Sequence, residues 1–262
     1  MQSFALKFLA PVLLCFPILA GATTAKSYIA LDEEGNVLLE HAPDVRRPMA
    51  SITKLFIAER NAGLPLDEHI IVTAEDVRKG ESRSSPLIAG HSYSRRDLLS
   101  LAMVRSDNVA ALALSRVPEV PLPADTVILE GSGLNPKNVS TARSIAQLAQ
   151  KMVGSDAALM SVQPMAYVGN HVRKNTNPLT GKPTWDFLLT KTGFINQAGG
   201  CVVTVLKIKD RLVTIVILGS STVRTRWCDL AELRRKLGDS DFQAPSCTIK
   251  KPLKKQKKRK RT

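Results

Sequence analysis

Pro48-Met49-Ala50-Ser51-Ile52-Thr53-Lys54-Leu55-Phe56-Ile57-Ala58-Glu59-Arg60 is the stretch on which the reading of this chain turns. Its apolar positions 52, 55, 56 and 58 recur at the spacing of a buried helix, with Pro48 ahead of the first turn and Gly63 and Pro65 beyond the last. Ser51 stands at the N-terminal end of that helix, and Lys54 follows on the same face, where side chains at i and i+3 have Cβ atoms ~5–6 Å apart. A serine hydroxyl is a poor nucleophile near neutral pH and needs a base within reach. A lysine, protonated at its ordinary pKa of about 10.4, can be that base only where burial or a nearby positive charge lowers the value. Ile52, Leu55 and Phe56 supply the burial, so the stretch predicts Ser51 as nucleophile and Lys54 as its base. A helix start with a solvated lysine has the same spacing. The companions downstream decide between the two.

Ser94 caps a predicted helix through Leu98, Leu99, Leu101, Ala102 and Val104 that breaks at Arg105-Ser106-Asp107-Asn108 and resumes over 109–114. Lys191-Thr192-Gly193 follows a predicted strand at 185–190 and is placed at its end. Each element has work to do in acyl transfer. Ser106 can relay a proton toward the leaving amine, and the Asn108 amide can donate to a substrate carbonyl and orient Lys54. The Lys191 ammonium and Thr192 hydroxyl suit a substrate carboxylate, while Gly193 lets a substrate backbone lie against the strand. A second positive charge at Lys191 would also help depress Lys54. Backbone N–H groups of Ser51 and Phe194, at a helix start and a strand end, would form the oxyanion hole.

Around these motifs the chain alternates in character. Residues 27–31 and 36–40 read as a β-hairpin turning at Asp32-Glu33-Glu34-Gly35, and 70–73 has strand character. Residues 117–123, Val-Pro-Glu-Val-Pro-Leu-Pro, form an extended connector. Ser140 or Thr141 caps another helix to about Val153. The last third is β-rich at 185–190, 201–208 and 212–218, which predicts neighbouring antiparallel strands, and 224–237 is an amphipathic helix with Trp227, Leu230, Leu233 and Leu237 on one face.

The 262 residues are 44% hydrophobic and 23% charged, enough for one compact domain or two interleaved lobes. Lys7, the apolar run at 8–20 and the small residues that follow read as an export signal over 1–25, cleaved after Ala22 or Ala25; Pro11 and Pro17 interrupt a run already short for a membrane span. The mature protein is expected to be exported, in a bacterial periplasm. The net charge of +14 is mostly a tail, since nine of the positive charges lie between Lys250 and Arg261. Such a run repels itself and buries nothing, so 241–262 is expected to be disordered; anionic envelope polymers or a membrane surface are its expected partners, with nucleic acid disfavoured for an exported chain. His41, His69, His91 and His171 are scattered and read as surface residues. Of the cysteines left after cleavage, Cys201 reads as a buried strand residue and Cys228 and Cys247 as free or paired, with no metal-binding spacing.

The ordered set Ser-x-x-Lys, Ser-Asp-Asn and Lys-Thr-Gly is shared by class A β-lactamases and penicillin-binding proteins. Over residues 27–237 the chain resembles the low-molecular-mass penicillin-binding proteins, the D-alanyl-D-alanine carboxypeptidases and endopeptidases. Residues 48–55, Gly133-Leu134, 138–142, Asn175-Thr176-Asn177, 189–194 and Ala198-Gly199 with Cys201 are most similar to the endopeptidase branch. The resemblance implies an α+β fold over 26–240, with an antiparallel sheet flanked by helices and a second, all-helical lobe, as in β-lactamases and transpeptidases, and the site between them. It implies cleavage of D-alanyl peptide bonds in peptidoglycan peptides through an acyl-serine, β-lactams as covalent inhibitors, and no metal or cofactor. Relatives carry a further helix where this chain has only the connector 117–123, so the helical lobe that must deliver Ser106 and Asn108 is expected to be shorter. A lactamase would need a glutamate that activates water, whereas Glu130 sits in Glu-Gly-Ser-Gly-Leu, which resembles the peptidase segment. The rival of another class is a non-catalytic peptidoglycan-binding or envelope-scaffolding protein.

Overall fold

The structure, a computed structural model, describes residues 23–81 and 84–239. The predicted signal, apart from residues 23–25, and the basic tail lie outside the described residues. The chain enters through the expected hairpin, β1 (Ser27–Leu31) and β2 (Val37–His41), turned by Asp32, whose carboxylate accepts the Asn36 N–H at 2.7 Å. A two-residue strand β3 (Arg47–Pro48) leads through a 3-10 turn, Ala50–Ile52, into α1 (Thr53–Arg60). The helical lobe follows with β4 (His69–Ile71), α2 (Ala74–Gly80), β5 (Ser92–Ser94), α3 (Arg95–Ser100), a π-helical turn at Leu101–Arg105, and α4 (Asn108–Leu114). After the connector come β6 (Val139–Ser140), α5 (Ala142–Lys151), α6 (Asp156–Ser161) and the hairpin β7 (Met165–Val168) and β8 (His171–Lys174). Three long strands, β9 (Phe187–Ile195), β10 (Gly199–Ile208) and β11 (Arg211–Ser220), and α7 (Thr225–Lys236) complete it.

The five-stranded sheet runs β2-β1-β11-β10-β9 with every neighbouring pair antiparallel, which leaves β9 at an edge. Side chains alternate across it. On β10, Cys201, Val203 and Val205 face the core shared with α1, α4 and α5, while Val202, Leu206 and Ile208 face α7 together with Leu230 and Leu233. Because both faces are covered, the strands read as nearly continuous apolar runs. Thr24 is also part of the body, donating through its N–H and hydroxyl to Asp229 of α7 at 2.7 and 2.8 Å.

Three local features differ from the sequence expectation, and a fourth decides which of the two expected residues caps α5. The strand set at 185–190 extends to Ile195, because Gly193 pairs with Cys201 and Ile195 with Gly199 of β10, so the Lys-Thr-Gly motif lies within the strand and the turn comes after it. The helix capped by Ser94, whose hydroxyl accepts the Asp97 N–H at 3.1 Å, is α-helical only to Ser100. Thr141 rather than Ser140 caps α5, since Ser140 is in β6 with its hydroxyl paired to Thr126 at 2.7 Å. Helices α2 and α6 and the hairpin β7–β8 were not expected; both helices are under two and a half turns, too short for a periodicity to show.

The connector contains no helix between α4 and β6. Polar ties hold it instead. The Asp125 carboxylate accepts the Thr141 hydroxyl at 2.6 Å and the Ser144 hydroxyl at 2.8 Å, Arg46 donates to the Ala124 carbonyl at 2.6 Å, and Gly131 lies so close to α4 that a Cβ there would be 2.8 Å from Cβ of Ser115. Gly133, at φ +82°, presses on the turn that carries Ser51: a Cβ would be 2.2 Å from the Ala50 carbonyl oxygen. Left-handed backbone and backbone overlap each carry a cost of about 1–3 kcal/mol. Gly133→Ala is therefore expected to destabilise the protein by at least about 2 kcal/mol, read as a fall in Tm of roughly 4–8 °C.

Candidate active site

Ser51 is presented by strained backbone. Ala50 has φ +49°, a conformation rare for a residue with a Cβ, and the chain turns there from β3 into the 3-10 turn and α1. Thr53, fully buried, explains its place in an apolar helix by donating to the Ala50 carbonyl at 2.8 Å and accepting from the Asn138 amide at 3.2 Å.

Lys54 is 1% exposed, and its Nζ meets three oxygens: Ser51 Oγ at 3.0 Å, Asn108 Oδ1 at 2.8 Å and the Ser132 carbonyl at 2.5 Å. Burial lowers its pKa to about 7, against the pull of the Asp107 and Glu130 carboxylates, which favour the ammonium. The number of acceptors matters as much. A neutral amine has two hydrogens and one lone pair, and the Asn108 and Ser132 oxygens can only accept. Both hydrogens are thereby taken, and the lone pair is left facing the Ser51 hydroxyl.

The helix break supplies Ser106 and Asn108. The π-helical turn ends at Ser106, which takes a left-handed conformation at φ 62°, and Asp107 then caps α4 by accepting the Ala110 N–H at 3.0 Å. Asn108 spans the lobe: its Nδ2 donates to the Gly80 carbonyl at 3.0 Å, which leaves Oδ1 for Lys54. Gly80 itself sits where a Cβ would be 2.7 Å from Val109, so α2 and α4 are locked together beneath the site.

The opposite wall is β9. Lys191, 1% exposed, donates to Ser106 Oγ at 2.8 Å and to the Thr192 carbonyl at 2.9 Å. Burial first, then repulsion from Lys54 and Arg226, holds its pKa well below the ordinary lysine value. Burial is the first cause at both amines, and a charge on either one disfavours a charge on the other. Thr192 Oγ1 donates to Thr176 Oγ1 at 2.7 Å. A Cβ on Gly193 would lie 2.9 Å from the Met49 carbonyl and 3.1 Å from the Ser51 nitrogen, so this glycine admits the nucleophile turn rather than only a ligand. Arg226 of α7, 5% exposed, donates to the Gly193 carbonyl at 3.0 Å. In the trans peptide that joins Gly193 to Phe194, the N–H of Phe194 points the opposite way.

Ser51, Lys54, Ser106, Asn108, Lys191, Thr192, Gly193 and Phe194 thus converge between sheet and helical lobe, bridged by Lys54 to Asn108 and Lys191 to Ser106. Sequence reading missed the Ser132 carbonyl and Arg226, and it singled out Asn175-Thr176-Asn177 without giving Thr176 a role. A carbonyl has no sequence signature, while a charged residue at a buried position of an apolar-faced helix is a weak one. Cys201 is buried and free, Cys228 is disulfide-bonded, and all four histidines are exposed. Among the described residues no cluster of His, Cys, Asp and Glu could hold a metal ion.

The model of the D-alanyl-D-alanine carboxypeptidase family matches residues 17–118 and 124–222, with its break inside the connector. The chain is 31% identical over 248 residues to the D-alanyl-D-alanine endopeptidase of Pseudomonas aeruginosa, covering 84% of this chain and 79% of that one. It is 32% identical over 247 residues to the D-alanyl-D-alanine endopeptidase of Escherichia coli K12, covering 82% and 80%. Two solved structures share the fold: a D-alanyl-D-alanine carboxypeptidase of Mycobacterium tuberculosis H37Rv, with a TM-score of 0.74, 22% identity and coverage of 85% and 93%, and the Streptomyces K15 DD-transpeptidase, with 0.73, 20%, and 82% and 97%. The matched length, and the identity to the two endopeptidases, establish that the chain belongs to the D-alanyl-D-alanine carboxypeptidase family of peptidases.

Proposed function

We propose that the protein is an exported serine-type D-alanyl-D-alanine peptidase that cleaves peptidoglycan peptides through an acyl-serine at Ser51. The observation that carries this reading is the buried Lys54 amine 3.0 Å from Ser51 Oγ, with the accept-only oxygens of Asn108 and Ser132 as its other two partners, an arrangement that in the neutral amine turns the lone pair to the Ser51 hydroxyl. Neutral Lys54 takes the Ser51 proton as Oγ bonds to the substrate carbonyl carbon, and the N–H groups of Ser51 and Phe194 receive the oxyanion. Ser106 relays that proton to the leaving nitrogen as the C–N bond breaks, and water then hydrolyses the ester with Lys54 again as base. Lys191 holds Ser106. Thr192 and the free edge of β9 receive the substrate as an added strand, its carboxylate toward Lys191 and Thr192, with Asn108 donating to its backbone. The similarity to two endopeptidases favours that form of the activity over the carboxypeptidase form. The Glu130 carboxylate is bound by its own loop, which speaks against a lactamase's water-activating glutamate.

Export is supported by residues 1–25, and among the described residues no helix is long and apolar enough to cross a membrane. The basic run at 250–261 gives the chain an anionic partner of its own, an envelope polymer or a membrane surface. Vesicles containing anionic lipid are expected to bind the protein in low salt and release it near 0.5 M salt, and truncation after Thr248 should abolish this; equal binding by the truncated chain removes the tail's role.

A fluorescent penicillin should label the protein covalently, and Ser51→Ala should abolish the label while the circular dichroism spectrum is kept. Absence of label on folded wild-type protein would support the non-catalytic reading. Because Lys54 must be neutral, the labelling rate should rise about tenfold per pH unit below pH 7 and level off above it. A rate flat from pH 5 to 8 excludes Lys54 as the base.

A further inference from the structure

We propose that Glu130 is a positioning residue that aims the Lys54 lone pair, by folding its own loop so that the Ser132 carbonyl occupies one hydrogen of the amine. The inference rests on the acyl-serine reading above. Glu130 belongs to the connector, far along the chain from Ser51, and its carboxylate gathers five donors: the N–H groups of Ser132 at 2.6 Å, Gly133 at 2.8 Å and Asn135 at 3.1 Å, the Ser132 hydroxyl at 2.5 Å, and Asn138 Nδ2 at 3.2 Å. Four of these come from the loop that it heads. The loop is thereby wound around one carboxylate, and the outward-facing group is the Ser132 carbonyl, 2.5 Å from Lys54 Nζ.

Two further features make the loop part of the nucleophile's setting. Gly133 packs against the Ala50 carbonyl, one residue before Ser51, and Asn138 Nδ2 reaches both Glu130 and Thr53 Oγ1, the residue before Lys54. A half-buried carboxylate surrounded by donors stays ionised: burial pushes Glu130 up, but the Ser132 hydroxyl and the N–H groups of Asn135, Ser132 and Gly133 outweigh it and bring it below the usual glutamate value. Around Lys54 the charged groups are Asp107 from the head of α4, Lys191 from β9, and Glu130 from the connector. Glu130 thus acts on the amine twice, through the carbonyl that it positions and through a negative charge that favours the ammonium.

The two effects predict a signature that loss of structure does not produce. In Glu130→Gln the loop loses its anion and part of its wrapping, so the plateau of the penicillin labelling rate above pH 7 should fall about 10- to 100-fold, in line with a base misplaced by up to about an ångström. At the same time the acid limb should move to lower pH, because both the anion and the fixed carbonyl acceptor that favour protonated Lys54 are weakened. Ser132→Ala, which removes one donor to Glu130 and keeps the charge, should lower the plateau by a smaller factor and keeps the test available if the glutamine variant does not fold. The Lys54 pKa can be read separately by carbon NMR of the lysine ε-carbons, with Lys54→Arg identifying the signal. For Glu130→Gln, a plateau that falls with the limb unmoved, or labelling like that of the wild type, overturns the proposal; for Ser132→Ala, which keeps the anion, labelling like that of the wild type does so. A wild-type protein that does not label at all instead removes the acyl-serine reading on which it rests.

Discussion

The burial of a single amine organises this molecule. Lys54 Nζ is enclosed by Ser51, Asn108 and Ser132, which belong to the first helix of the body, the helical lobe and the connector. An amine so placed without acceptors would cost several kcal/mol, so the three elements must close on it together. Their closure also removes the solvation that keeps an exposed lysine protonated. The same enclosure therefore assembles the lobes and makes the base.

Closure also explains where the backbone is unusual. Ala50 and Ser106 hold left-handed conformations, and Gly133 and Gly193 leave no room for a Cβ against the nucleophile turn. Each lies within two residues of a hydrogen-bonding partner in the site. Between α4 and β6 the chain is held without a helix: Ser132 touches Lys54, Gly131 packs on the end of α4, Asp125 ties the segment to α5, and Thr126 ties it to Ser140 of β6.

Across the site, Lys191 and Lys54 are two buried amines that cannot both carry full charge comfortably. One faces the nucleophile and the other faces Ser106. Arg226 of α7 holds the Gly193 carbonyl of β9.

The sequence by itself determined the helices and strands whose periodicity is long, the position of Ser51 at a helix start, and the identity of the three motifs, because those depend on local spacing and on residue type. It placed Lys54 beside Ser51, since i and i+3 meet on any helix. It also read the Lys-Thr-Gly segment as a strand end, because glycine signals a turn locally and only pairing with β10 carries the strand past it to Ile195. Tertiary structure alone decided the state of the amine. Its burial, the Ser132 carbonyl and the Asn108 oxygen come from segments remote in the chain, and a backbone carbonyl is the same in every residue, so its role depends on where folding points it.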